Sequence, residues 1–170
     1  MKKYLSALAI VVCIGFCELG GAGPAAAAQQ ASIASEAIGT IIVRTGQRRL
    51  YLVTAPGRAI SYPVGVGRAG KQWQGDSFIV SKRLRPAWSP PAEMKRERPR
   101  LPDVIPAGSP SNPMGAAALV LAHGEYAIHG TNNPGSIGGF VSFGCIRMHN
   151  RDILDLFERV SVGTRVVVTH

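Results

Sequence analysis

One stretch, residues 127–148, carries most of the information about the fold of this 170-residue chain, and its sequence is AIHGTNNPGSIGGFVSFGCIRM. It begins with a short apolar segment that ends at His129 and is typical of a strand. A polar, glycine-rich loop follows over 131–139, and Cys145 lies beyond it. The loop is long enough to fold back and bring the His129 and Cys145 side chains together. Because an imidazole beside a thiol can accept its proton and hold the thiolate in an ion pair, the stretch predicts a strand, a returning loop and a Cys–His pair.

Short apolar segments separated by turns continue on both sides of this stretch. Upstream, 41–43 and 50–53 flank a turn at 45–47, which predicts a β-hairpin. One helix is predicted to begin with Asn150 as its N-cap and to stop at Gly163. The pattern therefore predicts one mainly β, α+β domain with a single helix after the cysteine. Its other predicted strands are 59–66, 77–81, 117–122, 126–129 and 165–169.

A proline-rich and basic segment interrupts the strands. Residues 86–115 contain eight prolines, which exclude a helix or a central strand over most of that range. The overlapping range 81–100 carries seven Lys and Arg against two Glu. A loop this long in a compact domain is usually a lid, a binding loop or disordered. The alternative is a solvated basic face, but Trp88 and Met94 favour a contact surface, and Trp88 is a candidate substrate-binding residue.

The first 28 residues have the layout of a secretory signal peptide, with two lysines, an apolar run over 5–17 and small residues up to Ala28. A membrane anchor is the alternative, although the run is shorter than the roughly 20 residues that span a bilayer. Cleavage near Ala28 would leave a flexible leader over 29–39 and a domain over 40–170, exported to the periplasm or cell wall. The net charge of +9 favours polyanionic partners, and export argues against nucleic acid among them.

Cys145 would be the one cysteine left after such cleavage, since Cys13 and Cys17 lie in the first 28 residues. A lone thiol cannot form an internal disulfide, even in an oxidising compartment. It is then either a buried apolar filler or a reactive group. The neighbouring histidine motif favours a reactive cysteine.

The residues around His129 and Cys145 resemble the L,D-transpeptidase catalytic domain, the YkuD family. Other parts of the chain also fit that family, so that the resemblance covers about 40–170. It implies a mixed β-sandwich with one helix after the catalytic cysteine loop. The motifs that carry it are Ile128-His129-Gly130-Thr131-Asn132, Ser136-Ile137-Gly138, Ser142-Phe143-Gly144-Cys145-Ile146-Arg147-Met148, Tyr62-Pro63-Val64-Gly65-Val66-Gly67 and Pro86-Ala87-Trp88-Ser89-Pro90-Pro91.

The resemblance implies a cysteine acyltransferase of peptidoglycan. Cys145 would attack a tetrapeptide stem between diaminopimelate and the terminal D-Ala, forming a thioester and releasing D-Ala. An amine would then take the acyl group, either from a second stem, which gives a 3→3 cross-link, or from an acceptor protein. The resemblance implies no cofactor and no metal, and carbapenem-type inhibitors are expected.

The same resemblance implies roles for individual residues. His129 would be the general base for Cys145, with its ring oriented by the Gly130 carbonyl. Backbone N–H groups around Gly144 and Cys145 would stabilise the oxyanion, because a glycine lets the substrate approach closely. Two further residues are implied at the substrate, with Arg147 pairing with a carboxylate and Ser142 supporting the cysteine loop.

Two positions depart from the family's pattern. Phe143 stands where the family often has a histidine, and it cannot donate a hydrogen bond. Gln72-Trp73-Gln74-Gly75 replaces the usual Thr-Pro-X-Gly turn. The fold is expected to tolerate both changes, whereas the details of substrate binding are expected to differ.

Three other classes of protein remain open from the residues. A cysteine peptidase, amidase or L,D-carboxypeptidase of stem peptides would use the same thiol, although papain-like and NlpC/P60-like enzymes have Cys before His. A non-catalytic wall-binding module would rely on Trp88 and the basic charge. A zinc hydrolase is weakly supported, since no His-Glu-X-X-His or Cys-X-X-Cys spacing exists. Its ligands would come from His123, His129, Cys145 and His149.

Overall fold

The computed structural model describes residues 33–123 and 125–170, and the predicted signal peptide lies outside these ranges. No helix in the described ranges is long and apolar enough to cross a bilayer. The secondary structure of this part is mostly β. The strands are β1 Ile41–Arg44, β2 Arg49–Ala55, β3 Arg58–Pro63, β4 Val66–Gly67, β5 Gly75–Leu84, β6 Ala117–Leu121, β7 Ala127–His129, β8 Phe140–Ser142, β9 Ile146–Arg147 and β10 Arg165–Thr169, and the helices are α1 Ala92–Glu97, the 3₁₀ turn Pro134–Ser136 and α2 Asn150–Arg159.

Eight of these strands form one mixed sheet in the order β3-β2-β1-β10-β5-β6-β7-β9. The pairs β1–β10 and β7–β9 are parallel, and the other neighbours are antiparallel. A small second sheet joins β4 to β8 in parallel. The prediction of a mainly β, α+β fold is confirmed.

The long strand β5 curls the sheet. Its first residues pair with β10, and its residues from Ile79 onward pair with β6, with a register shift between Ile79 and Ser81. A bulge of this kind bends a strand and increases its twist. The apolar inner faces of the two halves can therefore enclose a common core.

The core is filled mainly by β-branched and aliphatic side chains from the inner faces of the strands. Ile41 and Val43 of β1 and Val166 and Val168 of β10 point into this core, while the residues between them lie on the opposite face of the sheet. Helix α2 packs its apolar side against β6 and β7. Its core-facing residues are Ile153 and Leu156, and Val160, just after the helix, joins the same core.

Helix α1 was not predicted, because the many prolines of residues 86–115 argued against a helix there. Its six residues lie between Pro91 and Pro99, where the sequence is Ala-Glu-Met-Lys-Arg-Glu. All six are good helix formers, and no proline interrupts them. The described domain therefore has two α-helices rather than one, the first inside the proline-rich segment.

The predicted strand over 59–66 is divided in two, since β3 ends at Pro63 and β4 begins at Val66. In the part of the leader that the structure describes, Ile33 is buried against Tyr51. Glu36 forms an ion pair with Arg165. Residues 33–39 are thereby attached to the sheet.

Candidate active site

Two parallel strands bring His129 and Cys145 to one surface. β7 pairs with β9 so that Ile128 lies opposite Ile146 and His129 opposite Arg147. Side chains alternate between the faces of a strand, and both isoleucines are buried in the core. His129 and Arg147 therefore share the other face, and Cys145, just before β9, lines the same cavity as both.

This face opens into a cavity of about 520 Å³. Helix α1 and the segment after it contribute Met94 and Arg98 to its wall. Five of the residues that the sequence predicted for the site line this cavity, whereas Gly130 and Gly144 are buried beside it. The five are Trp88, His129, Ser142, Cys145 and Arg147.

His129 is 4% exposed, and its ring is held by the backbone. Nδ1 lies 2.6 Å from the Gly130 carbonyl oxygen. Because a carbonyl can only accept, Nδ1 carries the hydrogen and Nε2 is the basic nitrogen. Burial and, secondarily, the Arg147 charge lower the pKa of His129 to about 4, against the opposing effect of the Gly130 and Pro113 carbonyls. The imidazole is therefore neutral at neutral pH.

Cys145 is a half-buried free thiol. Burial raises the pKa of the Cys145 thiol, and the negative charge of Glu125 raises it further. The Ala127 N–H and the Arg147 charge act in the opposite direction but do not reverse the shift in pKa. With the thiol pKa raised and the imidazole pKa lowered, the resting site holds a neutral thiol and a neutral imidazole instead of the ion pair expected from the sequence.

Ser142 fastens the loop that carries the cysteine. Its Oγ donates to the Cys145 carbonyl at 2.6 Å and accepts from the Gly144 N–H at 3.1 Å. The Gly144 N–H, which the sequence analysis offered as an oxyanion donor, is thus occupied by a side chain. The Cys145 N–H is the remaining candidate donor in this loop.

Arg147 is a half-buried cation without an acidic partner among the described residues. Its Nε is buried and has no hydrogen-bond partner there. Burial and the nearby Arg98 lower the pKa of Arg147, and the neighbouring Cys145 raises it. A buried guanidinium usually pairs with an anion, so a carboxylate entering the cavity would be favoured at this position.

Helix α1 is tied to the turn below the cavity by two ion pairs. Arg68 contacts Glu97 at 2.5 Å, and Lys71 pairs with Glu93. The Arg68 guanidinium also lies over the Phe143 ring, 4.1 Å from its centroid. These contacts connect the helix with the loop that precedes Cys145.

Asn150 has a role that the sequence analysis missed. It is the first residue of α2, His149 occupies the N-cap position, and no side chain caps the helix. Instead, Asn150 Oδ1 accepts from the N–H groups of Ala116 and Thr131, each at 3.0 Å, and Nδ2 donates to the Thr131 carbonyl at 3.0 Å. This side chain therefore fixes the backbone that follows His129.

The glycines around Asn150 were the signal that could have indicated this contact. A Cβ at Gly115 or Gly130 would collide with Asn150 Oδ1. Both positions therefore need a residue without a side chain if the asparagine is to reach the backbone. Gly130, beside the histidine, and Asn150, after the cysteine motif, are far apart in sequence but meet in the structure.

The other predicted or alternative residues are distributed around the site. His123 is exposed and stacks on Trp73, while His149 precedes α2. Groups of three or more side chains suited to a metal ion are absent from the described residues. The four histidine and cysteine side chains considered for zinc are therefore not gathered into one site.

The fold and the site are those of a mainly β enzyme domain with a cysteine and a histidine in one cleft. The profile described as the L,D-transpeptidase catalytic domain, YkuD, matches residues 38–168. The chain belongs to this family.

Comparison with individual proteins agrees with the family. The chain is 42% identical over 135 residues to the "Probable L,D-transpeptidase YbiS" of Escherichia coli strain K12, an alignment that covers 74% of this chain and 43% of that protein. It thus spans less than half the length of this relative. L,D-transpeptidase 3 from Mycobacterium tuberculosis has the same fold, with a TM-score of 0.61 and 16% identity over 77% of this chain and 60% of the other. The catalytic domain of the Enterococcus faecium L,D-transpeptidase, acylated by ertapenem, also has this fold. Its TM-score is 0.58 and its sequence identity 17%, over 76% of this chain and 95% of that domain.

Proposed function

We propose that this domain is an exported L,D-transpeptidase that acts on peptidoglycan stem peptides through a thioester on Cys145. The observation that carries the proposal is that Cys145, His129 and Arg147 line one cavity beside the β7–β9 pair. A nucleophile, a base and an unpaired cation in one cleft are the groups that acyl transfer from a carboxylate-bearing peptide requires.

The acylation step starts from the neutral pair. As the Cys145 sulfur bonds to the carbonyl carbon between diaminopimelate and D-Ala, the thiol proton moves to Nε2 of His129. The tetrahedral adduct then collapses, the C–N bond breaks, and His129 returns the proton to the departing D-Ala nitrogen. The products are a thioester and free D-Ala, and both side chains are neutral again.

Transfer to the acceptor follows the same path in reverse. An amine attacks the thioester carbonyl and gives its proton to His129, the C–S bond breaks, and the thiol regains the proton. The Gly130 carbonyl holds Nδ1–H throughout, which leaves Nε2 as the nitrogen that exchanges the proton. Arg147 would bind the terminal carboxylate of the donor stem, which places the scissile bond over the sulfur.

Mass spectrometry with a carbapenem tests the thioester chemistry. The wild-type chain should gain the mass of one inhibitor, Cys145→Ser should gain none, and His129→Gln should react far more slowly. The exposed His170, which lies outside the cavity lining, provides the matched control, since His170→Gln should react like wild type. An unmodified wild-type protein would contradict the proposal, and loss of reaction with a chelator would favour the zinc alternative.

Purified disaccharide-tetrapeptide distinguishes the possible acceptors. Cross-linked dimers with a 3→3 bond support transpeptidation between stems, whereas tripeptide without dimers indicates transfer to water and hence an L,D-carboxypeptidase. Attachment to a protein amine would appear as a stem-peptide mass on an added acceptor protein. If Cys145→Ser and wild type bind sacculi equally and neither alters the muropeptides, the domain is a wall-binding module.

Export is proposed on the sequence of the first 28 residues. Fractionation of cells that express the full chain should place the mature protein outside the cytoplasm. Its N-terminus should be Gln29. A protein that retains residues 1–28 and stays in the membrane fraction would favour the anchor.

A further inference from the structure

Trp73 touches the catalytic loop from a distant part of the sequence. Its Nε1–H donates to the Gly144 carbonyl oxygen at 2.9 Å, across 71 positions. Trp73 belongs to the four residues that depart from the usual turn of the family. The contact is therefore made by a residue for which the resemblance supplied no role.

The indole of Trp73 is itself held in place by stacking. Its ring centroid lies 5.0 Å from that of His123 and 5.1 Å from that of Tyr126, with interplanar angles of 12° and 8°. The His123 and Tyr126 centroids are only 5.9 Å apart. Two rings on opposite faces of an indole would be nearly twice as far from each other, so Trp73 covers both rings from one side.

Tyr126 in turn packs against Gly144. A Cβ on Gly144 would collide with the Tyr126 ring, and the Gly144 backbone has φ +118°. Both facts require glycine at this position. The peptide unit between Gly144 and Cys145 is thus confined by a ring on one side and by the indole N–H at its carbonyl oxygen.

Confinement of this carbonyl determines where the Cys145 N–H points. In a trans peptide the C=O and the N–H lie in one plane and point in opposite directions, and no described peptide bond is cis. The Gly144 N–H is already bound to Ser142 Oγ. The Cys145 N–H is therefore the donor of this loop that can meet an oxyanion formed on the substrate.

We infer that Trp73 is a positioning residue for acyl transfer: by binding the Gly144 carbonyl it aims the Cys145 N–H at the developing oxyanion. Removal of one oxyanion donor from a preorganised site costs roughly 10²–10³ in rate, and misalignment costs less. The inference rests on the proposed function, and its test must separate the two.

Trp73→Phe keeps an aromatic ring for the stack and removes the N–H donor. The test uses a chain with Cys13→Ala and Cys17→Ala, so that Cys145 is the one thiol. Acylation by a carbapenem should slow by about tenfold or more, because an oxyanion forms in that reaction. Alkylation by iodoacetamide forms no oxyanion, and its rate should stay within about twofold of wild type. Tyr51→Phe removes an aromatic hydrogen-bond donor that lies outside the cavity lining and serves as the matched control.

Each outcome decides the inference. Equal acylation rates for Trp73→Phe and wild type overturn it, and so does a parallel fall in acylation and alkylation, which would show a general structural role. A wild-type chain that no carbapenem acylates refutes the proposed function itself.

A measurement on the unmutated chain guards against a variant that fails to fold. The chain has two tryptophans, and the Trp88 indole has no hydrogen bond among the described residues, so the two indole N–H signals form an internal comparison. The Trp73 signal should exchange with solvent more slowly than that of Trp88. Equal exchange of both overturns the inference.

Discussion

The protonation state of the free thiol is the property of this site that a pH series tests most directly. A chain with Cys13→Ala and Cys17→Ala has Cys145 as its single thiol and gives a clean readout with iodoacetamide. Because burial raises the pKa of Cys145, the thiolate should be a minor species at pH 7 and should become more abundant as the pH rises. The alkylation rate should therefore increase throughout the range from pH 6 to pH 9.

The size of the increase follows from the ordinary thiol pKa of about 8.5. A thiol with that value is roughly 3% ionised at pH 7 and about three-quarters ionised at pH 9, a ratio of about 25. A raised pKa brings the ratio closer to the limit of about 100 for two pH units. A preformed thiolate–imidazolium pair, by contrast, would be almost fully ionised at both values and would give a nearly constant rate.

The assay is the second-order rate of carbamidomethylation by mass spectrometry, together with thiolate absorbance near 240 nm. Two variants move the pKa of Cys145 in opposite directions. Arg147→Gln removes a charge that lowers it, so the rate at pH 7 should fall, whereas Glu125→Gln removes a charge that raises it, so the rate should increase. A rate that is flat from pH 6 to pH 9 would refute the neutral resting pair.

Three further predictions concern parts of the domain around the thiol. Asn150→Ala loses three hydrogen bonds and should lower the free energy of unfolding, measured in urea, by about 2 kcal/mol. Asn150→Asp keeps the two hydrogen bonds that use Oδ1 and should lower it less, whereas equal stability of wild type and both variants would contradict this role. Because the pKa of His129 is lowered to about 4, the unfolded chain binds a proton between pH 6.5 and pH 4 that the folded chain does not bind. The free energy of unfolding should therefore fall by up to about 3 kcal/mol over this range, and His129→Gln should not show this fall. Replacing Glu93 and Glu97 with Gln frees helix α1 from its ion pairs, and it should raise KM for the tetrapeptide without changing kcat; unchanged kinetics would show that the basic segment is a solvated face.

The strands of this domain could be predicted because their signals are local. The hairpin of β1 and β2 and the last strand, β10, follow from runs of β-branched residues bounded by turn residues. The Cys–His motif was recognisable for the same reason, since its residues are close in sequence and of unusual type. His129 ends β7 and Cys145 immediately precedes the adjacent parallel strand β9, which brings the two functional groups to one cavity.

The rest of the site depends on contacts between distant segments. Nothing in the sequence around Trp73 indicates Gly144, and nothing around Asn150 indicates the backbone after His129, because neither contact belongs to a repeating pattern. The neutral resting pair was equally hidden. The pKa of a histidine depends on how deeply the fold buries it, whereas the sequence predicted, from the pairing alone, that the imidazole would take the thiol proton.

Position 143 shows how a departure from the family can be accommodated by the rest of the fold. Phe143 cannot form the hydrogen bond of a histidine, but its ring supports the Arg68 guanidinium, which reaches Glu97 of α1. The contact of a cation with an aromatic face is worth about 0.5–1 kcal/mol at an exposed site, and the aromatic ring at position 143 provides this contact. The side chain at 143 thus joins the loop of Cys145 to the helix beside the cavity. Because the Ser142 hydroxyl already holds the Gly144 N–H and the Cys145 carbonyl, the loop keeps its shape without a polar residue at 143.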